Sequence, residues 1–329
     1  MAWAYSNPKA LGQGGVRAAY GPLIGRWPAS QVISGSWSVS WTTGHPWSGP
    51  QLALARDGAV LLAWNGCKSE SACMGYVDVR GSKQPAVVVS WRSPGHPFGS
   101  PRTVSAAPFA SVPQFDAAGN AYLSSSCSGT VAIAAAHSQH FSRRVVTAGA
   151  AQSFTLALSG AGQGLAAWVA GACSYSDAAG PGSGPVLASV LHSGTFATPI
   201  TLTPATTQSA WAGAVPTPGG AVVTWLSYER GNVVSFSVPV AANGVIGAPS
   251  EGETVTVPLA ADGGGDLLLE PETAVAGPAS AIVVRPAGGG TDQPAPVSAG
   301  RAAAARDGRV IAIVWIADST KLELSIWRP

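Results

Sequence analysis

Short apolar segments alternate with turn residues along most of the chain. Glycine-centred turn sites separate two apolar runs six times, at intervals of 43 to 61 residues. These sites are Asp57-Gly58, Ala118-Gly119, Ala161-Gly162, Pro218-Gly219-Gly220, Gly263-Gly264 and Asp307-Gly308. Asp-Gly and Gly-Gly favour type I′ turns because glycine reaches positive φ without steric cost. Each repeat unit is therefore predicted to begin with a tight β-hairpin.

A third and a fourth strand are predicted after each hairpin. Four of the second strands end in tryptophan, at Trp64, Trp168, Trp225 and Trp315. The third strands are predicted at 86–91, 131–136, 186–191, 233–238, 281–284 and 322–327. The fourth segment carries a pattern of an apolar residue, a proline three positions on and a second apolar residue. Its clearest copies are Phe98…Pro101…Val104 and Phe196…Pro199…Leu202. Four strands in a unit of this size are typical of one blade of a β-propeller.

The last unit ends after its third strand, whereas the N-terminal region holds an extra fourth-strand pattern, Trp27…Ser30…Ile33. A strand at 24–34 that completes the last blade would remove an open sheet edge. We therefore predict an all-β fold: a single-domain, six-bladed β-propeller over 1–329, with an N-terminal extension at 1–23. The blades are predicted at about 51–106, 109–149, 152–205, 208–252, 254–300 and 301–329 plus 24–34.

Two segments carry a family resemblance. Residues 55–64, Ala-Arg-Asp-Gly followed by Val and Ala-Trp, and residues 91–101, Trp-Arg-Ser-Pro-Gly followed by Phe-Gly and Pro, resemble the degenerate propeller repeats of secreted actinobacterial-type proteins. The resemblance covers 24–329 and implies an architecture, not an activity. The chain is also distantly similar to the sialidase superfamily. However, the sialidase Asp-box lies between the third and fourth strands, whereas Asp-Gly here lies between the first and second, and no arginine triad is identifiable. Sialidase catalysis is therefore not carried over.

Composition and charge exclude several classes of protein. The longest apolar run, 310–317, is far shorter than the roughly 18 residues that span a bilayer, so no membrane insertion is expected. A net charge of +2 without a basic block gives no electrostatic basis for nucleic-acid binding. Hydrophobic residues make up 46% of the chain, which argues against disorder. No phosphate-binding loop, dinucleotide pattern or Gly-x-Ser-x-Gly elbow occurs, and no cofactor is predicted.

The four cysteines, Cys67, Cys73, Cys127 and Cys173, favour disulfides in an oxidising compartment. Zinc is the weaker alternative because the spacing of Cys67 and Cys73 is not that of a zinc site. A Cys67–Cys73 bridge would close one loop, and a bridge between Cys127 and Cys173 would join neighbouring blades. The first residues lack a signal-peptide pattern, so we expect a protein that is either cytoplasmic or has lost its signal. The cysteines and the low charge favour a secreted or cell-surface location.

Long segments at 65–84, 169–184 and 35–50 are predicted to lie on one rim of the propeller, where binding residues usually occur. Tryptophans there could stack on sugar rings, or they could pack between blades as core. The predicted ligand-binding residues are Trp37, Trp41, Trp47, Tyr76, Arg80, Tyr175 and Arg230.

Catalytic candidates on the same rim are weaker, because no spacing singles out a pair. They are Asp78, Glu229, Glu270, His45 and Tyr228, with Glu272 beside them. Two carboxylates could act as acid and base in glycoside cleavage, and His45 or Tyr228 could act as the base of a lyase. The alternative is that these are solvated loop charges. His137 and His140 have no acidic partner nearby in the sequence, so no metal site is predicted.

Three functions remain open on the sequence. The first is an extracellular module that binds a glycan or a protein through the long-loop rim, without catalysis. The second is a polysaccharide hydrolase or lyase with its site on the same rim, over the central channel. The third is a structural scaffold module of a larger assembly. The absence of a catalytic motif favours the first.

Overall fold

A computed structural model shows an all-β chain, in which every regular element among the described residues is a strand. The residues that the structure describes are 2–6, 14–18, 29–39, 50–68, 86–104, 111–125, 129–171, 184–229, 232–252, 256–261, 267–271, 283–285, 293–294, 302–306, 311–318 and 321–327. Their strands form seven antiparallel sheets. The described residues divide into two compact units, the first up to Ala151 together with the turn Gly160–Gly162, and the second comprising the rest.

The first unit contains three sheets. The N-terminal sheet has the order β1-β2-β3, with β1 at Ala2–Ser6, β2 at Gly14–Ala18 and β3 at Gln31–Val32. The next has the order β4-β6-β7-β8, with β5 also paired to β6; its strands are β4 (Ser38–Val39), β5 (Gln51–Leu54), β6 (Val60–Cys67), β7 (Ala86–Arg92) and β8 (Arg102–Val104). The third has the order β12-β11-β10-β9; its strands are β9 (Ser111–Phe115), β10 (Ala121–Ser125), β11 (Thr130–Ala134) and β12 (Ser142–Val145).

The second unit contains four sheets. In the first of them, β13 (Ala151–Gly160), β14 (Gln163–Ala170), β15 (Val186–His192) and β16 (Thr195–Phe196) follow in order, and β17 (Ile200–Thr201) also pairs with β15. The next two have four strands each: β18 (Ser209–Thr217), β19 (Gly220–Glu229), β20 (Asn232–Ala241) and β21 (Ser250–Gly252), then β22 (Thr256–Ala261), β23 (Leu267–Pro271), β24 (Val283–Arg285) and β25 (Gln293–Pro294). The last has β26 (Ala302–Arg306), β27 (Ile311–Asp318) and β28 (Lys321–Trp327).

The strand β6 shows how the core of the first unit is divided. All eight of its residues are buried, which explains why its sequence is a nearly continuous apolar run. Because successive side chains point to opposite faces, Leu62 and Trp64 pack with Val16 of the N-terminal sheet. Leu61, on the other face, packs with Leu123 of β10. Each face of the sheet is thus covered by a neighbouring sheet.

The six predicted hairpins are confirmed as pairs of successive antiparallel strands: β5–β6, β9–β10, β13–β14, β18–β19, β22–β23 and β26–β27. The turn residues Gly263-Gly264 and Asp307-Gly308 themselves lie outside the described residues. The predicted type I′ turn is wrong at Asp57-Gly58. The Gly58 N–H donates to Ala55 O at 3.0 Å, the Ala55 N–H donates to Ala59 O at 2.8 Å, and Gly58 has a φ of +87°. Asp57 keeps a negative φ, whereas type I′ needs a positive value at both central residues. The turn is a three-residue loop in which only glycine is left-handed.

The predicted closing strand has a different partner. In the structure, β3 pairs with β2, with Arg17 opposite Val32, so the N-terminal region forms a sheet instead of an extension. Burial of Val16 and Ile33 against the next sheet accounts for this arrangement. The described sheets number seven, and the predicted ring of six blades closed by residues 24–34 is not confirmed.

The side-chain amide of Gln31 fixes β3 to the segment that follows β7. Its Nε2 donates to Phe98 O at 3.2 Å, and its Oε1 accepts from the Phe98 N–H at 3.1 Å. One side chain therefore forms the pair of hydrogen bonds that a neighbouring strand would form. The contact joins two segments that share the predicted fourth-strand pattern, and both lie in the first unit.

Candidate functional site

The C-terminal end of β6 brings together two residues that the sequence singled out, Trp37 and Cys67. The short strand β4 pairs there, with Ser38 opposite Cys67 and Val39 opposite Gly66. The Trp37 N–H donates to Ser34 O at 2.9 Å. The chain before β4 thus turns sharply and places the Trp37 side chain at the end of β6, where the predicted long segment 65–84 begins.

Gly66 lets the Trp37 ring approach the sheet. A methyl group at Gly66 would stand 2.5 Å from Val88 Cγ2, 3.1 Å from Trp37 Cε3 and 3.3 Å from Trp64 Nε1. Real carbon atoms at the first of these distances would overlap, so no larger residue fits without movement. The methyl position at Gly66 is therefore close to two tryptophan side chains, the partly buried Trp37 and the buried Trp64.

Lys68 places a cation on the exposed side of this arrangement. Its Nζ lies 4.8 Å from the centroid of the Trp37 ring, a distance typical of a cation–π contact. Such a contact at an exposed position contributes about 0.5–1 kcal/mol. We call this cluster the Trp37 site, and it comprises Trp37, Trp64, Asn65, Gly66, Cys67 and Lys68.

Two buried polar atoms at the Trp37 site have no hydrogen-bond partner among the described residues. They are Trp64 Nε1 and Asn65 Oδ1, whose side chains are 3% and 4% exposed. A buried polar group without a partner costs about 1–3 kcal/mol, so such atoms are rare and need an explanation. Trp64 Nε1 lies 3.3 Å from the position of a Gly66 methyl group, near the Trp37 ring. Asn65, the next residue of β6, points to the opposite face of the strand.

Cys67 is buried, with 3% of its side chain exposed, at the point where β6 ends. Cys73, Cys127 and Cys173 lie outside the described residues. The pairing of the four cysteines therefore stays a prediction. Because Cys67 precedes Lys68 directly, any bridge from Cys67 would constrain the chain that follows the Trp37 site.

Solved structures similar to the chain include virginiamycin B lyase from Staphylococcus aureus, with 10% identity, 84% of this chain and 83% of that chain covered, and a TM-score of 0.48. The β-propeller domain of the Trilobed protease from Pyrococcus furiosus has 10% identity, coverage of 84% and 81%, and a TM-score of 0.43. A gluconolactonase from Xanthomonas campestris has 11% identity, coverage of 85% and 85%, and a TM-score of 0.44. No family model and no curated protein matches the sequence. Similarities at these levels carry no argument about ligand or activity.

Two of the catalytic candidates, Tyr228 and Glu229, lie at the end of β19 in the second unit. Tyr228 is 37% exposed and pairs in register with Val233, and Glu229 is exposed and pairs with Asn232. Since neighbouring residues of a strand point to opposite faces, these two side chains do not converge. No acid–base pair is brought together by the catalytic candidates whose side chains the structure describes.

The remaining candidates are not placed as side chains. Glu270 lies in β23 opposite Val257, which gives its strand position alone. The others lie outside the described residues: Asp78, His45, Glu272, Trp41, Trp47, Tyr76, Arg80, Tyr175 and Arg230. Within the described part of the chain, no group of three or more metal-ligating side chains occurs, and no helix is long and apolar enough to cross a membrane.

Sequence reasoning missed a buried carboxylate in the first unit. Asp116 is 5% exposed, and its Oδ1 accepts the N–H groups of Ala118 and Asn120, each at 2.9 Å. Its Oδ2 accepts from Asn120 Nδ2 at 2.8 Å and from the Tyr122 hydroxyl at 3.2 Å. The signal was present, because aspartate at the first position of a turn with glycine three residues on is a known turn signature. Asp116 organises a turn and is not part of the Trp37 site.

Proposed function

We propose that the chain is a β-propeller, with its successive antiparallel sheets as blades, and that it acts as an extracellular binding module for a glycan or a protein. The Trp37 site would be part of its ligand-binding surface. In support, five of the seven described sheets have at least four strands, and the sheets follow one another in chain order. A secreted or cell-surface location agrees with the low content of charged residues, 10% of the chain.

One observation carries this proposal: the partly buried Trp37 ring stands at a strand end with the Lys68 ammonium 4.8 Å from its centroid. A flat aromatic face matches the apolar face of a pyranose ring, and a nearby cation adds a polar contact that orients the ligand. The described residues of the site include no nucleophile with a general base beside it, so binding explains them better than catalysis does.

The test is a glycan and polysaccharide array on the oxidised protein, with binding and released reducing or unsaturated ends measured in parallel. We expect binding without products. The variant Trp37→Ala should lose most of that binding. Trp211→Ala is a matched control, because Trp211 is also partly buried on a strand but has no cation–π partner among the described residues.

Three outcomes would contradict the proposal. Released products would favour the hydrolase or lyase and direct attention to Tyr228 and Glu229. An absence of binding to every glycan and to candidate protein partners would leave the scaffold hypothesis. Equal loss of binding in Trp37→Ala and Trp211→Ala would show that the Trp37 site is not where the ligand binds.

A further inference from the structure

Lys68 is an exposed cation with no carboxylate partner within ion-pair distance among the described residues. Its ammonium contacts the face of the Trp37 ring. Charged residues are scarce in this chain, so an exposed ammonium over a partly buried aromatic ring is a distinctive combination. Such a site offers two contacts at once: a positive charge and a flat apolar surface.

The position of the Lys68 ammonium over the Trp37 ring determines which class of sugar gains the most binding free energy at this site. A neutral sugar that stacks on Trp37 must displace the ammonium from the ring and offers it only uncharged hydroxyl acceptors. A sugar that carries a carboxylate displaces the same contact but forms a charge-assisted hydrogen bond with Lys68 instead. The flexible lysine side chain can follow the carboxylate while the ring stacks on the sugar. The geometry therefore favours an acidic ligand over a neutral one.

The buried side of the Trp37 site restricts the direction from which a ligand can reach the Trp37 ring. Trp64 Nε1 and Trp37 Cε3 both lie within 3.3 Å of the place where a Gly66 side chain would stand. Trp37 packs against the buried cluster that contains Trp64 and Val88, so the core side of its ring is held in place. A ligand can approach this ring from the Lys68 side, and a ring held in this way loses little freedom on binding.

We propose that the Trp37 site binds an acidic glycan, with the carboxylate of a uronate residue on Lys68 and the apolar face of its ring on Trp37. This inference rests on the proposed binding function and names the ligand class for it. An acidic peptide is the competing ligand, and a peptide carboxylate would pair with Lys68 without a pyranose face to stack on Trp37.

The test compares polygalacturonate with the same polymer after carboxyl reduction, in equilibrium binding assays at low and high salt. We expect the acidic polymer to bind at least about tenfold more tightly than the reduced polymer, in keeping with a hydrogen bond to a charged group. Lys68→Gln should abolish this difference, and Lys68→Arg should retain it. The matched control is Arg56→Gln, which removes an equal, exposed charge in the turn that precedes β6.

The outcomes separate this inference from the proposed function. Equal binding of both polymers, with dependence on Trp37, would contradict the proposal that the ligand is acidic. It would still agree with the proposed function of the chain as a binding module. If Lys68→Gln and Arg56→Gln lose the same amount of binding to the acidic polymer, the effect is one of general charge. That result would overturn the assignment of the carboxylate to Lys68. Polyglutamate that binds as tightly as polygalacturonate, through Lys68, would identify a peptide ligand and overturn the glycan. Failure of every glycan on the array and of candidate protein partners would overturn the binding function itself.

Discussion

The backbone N–H of Gly162 donates to Asp116 Oδ2 at 2.8 Å, across 46 residues of sequence. The turn Gly160–Gly162 belongs to the first unit, and this bond fixes it to the turn between β9 and β10. Asp116 thus accepts hydrogen bonds from its own turn, from the neighbouring strand and from a distant hairpin. Because the carboxylate is buried, all of these donors depend on it.

Asp116→Ala should lower the free energy of unfolding by about 3–5 kcal/mol, because it leaves two buried donors, the Tyr122 hydroxyl and the Gly162 N–H, and three partly buried donors without their acceptor. Asp57→Ala is the matched control. Asp57 occupies the equivalent hairpin of the preceding sheet but is exposed and accepts a single backbone N–H, from Ala59 at 2.9 Å. Its loss should cost about 0.5–1.5 kcal/mol. Urea denaturation of both variants measures the difference, and similar costs would contradict the assigned role of Asp116.

Tyr122 should make the protein sensitive to alkali. Burial, the nearby Asp116 carboxylate and the hydrogen bond to it all raise the pKa of the Tyr122 hydroxyl. A raised pKa favours the protonated form in the folded state. The contribution of this pKa difference to the stability of the folded protein is complete below the pKa of an unfolded tyrosine, 10.0. The contribution declines as the pH rises from there towards the higher pKa of the folded state.

The measurement is the stability of the wild-type protein and of Tyr122→Phe between about pH 8 and 11, with tyrosinate absorbance followed in parallel. Tyr122→Phe should lose about 1 kcal/mol near neutral pH and show a shallower decline with alkali. It should leave the tyrosinate signal of the folded protein unchanged, because Tyr122 contributes little to it. A smaller signal in the variant would show that Tyr122 ionises freely.

Gly66→Ala should destabilise the protein by about 1–3 kcal/mol and displace the Trp37 ring. The added methyl group would stand 2.5 Å from Val88 Cγ2 and 3.1 Å from Trp37 Cε3. Gly219→Ala provides the control, since nothing lies within 4 Å of a methyl group there. Thermal unfolding and tryptophan fluorescence should separate the two variants. Equal effects would mean that the close contact at Gly66 does not hold Trp37 in place.

Ser193→Asn should stabilise the protein by up to about 1 kcal/mol, because asparagine tolerates the left-handed conformation better than serine does. Ser193 and Gly194 join β15 to β16 with φ values of 48° and 77°, so this turn has the positive φ values of type I′. Ser100→Asn, at an exposed loop position with negative φ, should leave the melting temperature unchanged. A gain in both variants would point to a cause other than backbone conformation.

The disulfide prediction can be tested by tryptic mapping without reduction. Cleavage after Arg56, Lys68 and Arg80 places Cys67 in peptide 57–68 and Cys73 in peptide 69–80. We expect these two peptides to be joined, since the short spacing favours a bridge within one loop. A reduced sample should release them separately. Linkage of peptide 57–68 to peptide 103–143, which holds Cys127, would contradict the predicted pairing.

The hairpin repeat could be predicted because its determinants are local. Gly58 and Gly119 take positive φ, and the apolar strands beside them need only a neighbouring sheet to be buried. The type of the turn was wrong because Asp57 accepts the Ala59 N–H with its side chain, which suits a three-residue loop. The sequence pattern also did not distinguish a partly buried Trp37 from a buried Trp64, because both tryptophans stand in segments that are predicted as strands.

Periodicity and turn residues were enough to predict the hairpin strands of the six repeat units and their antiparallel order, because each of these follows from a short stretch of chain. They did not predict β1 and β2, which lie in the segment expected to be an extension. Tertiary packing selected the partner of β3 and the residues that meet around Asp116 and Trp37. Those relations depend on contacts between residues far apart in the chain, such as Gln31 with Phe98 and Asp116 with Gly162. No local pattern encodes them, because each exists only after the sheets have packed against one another.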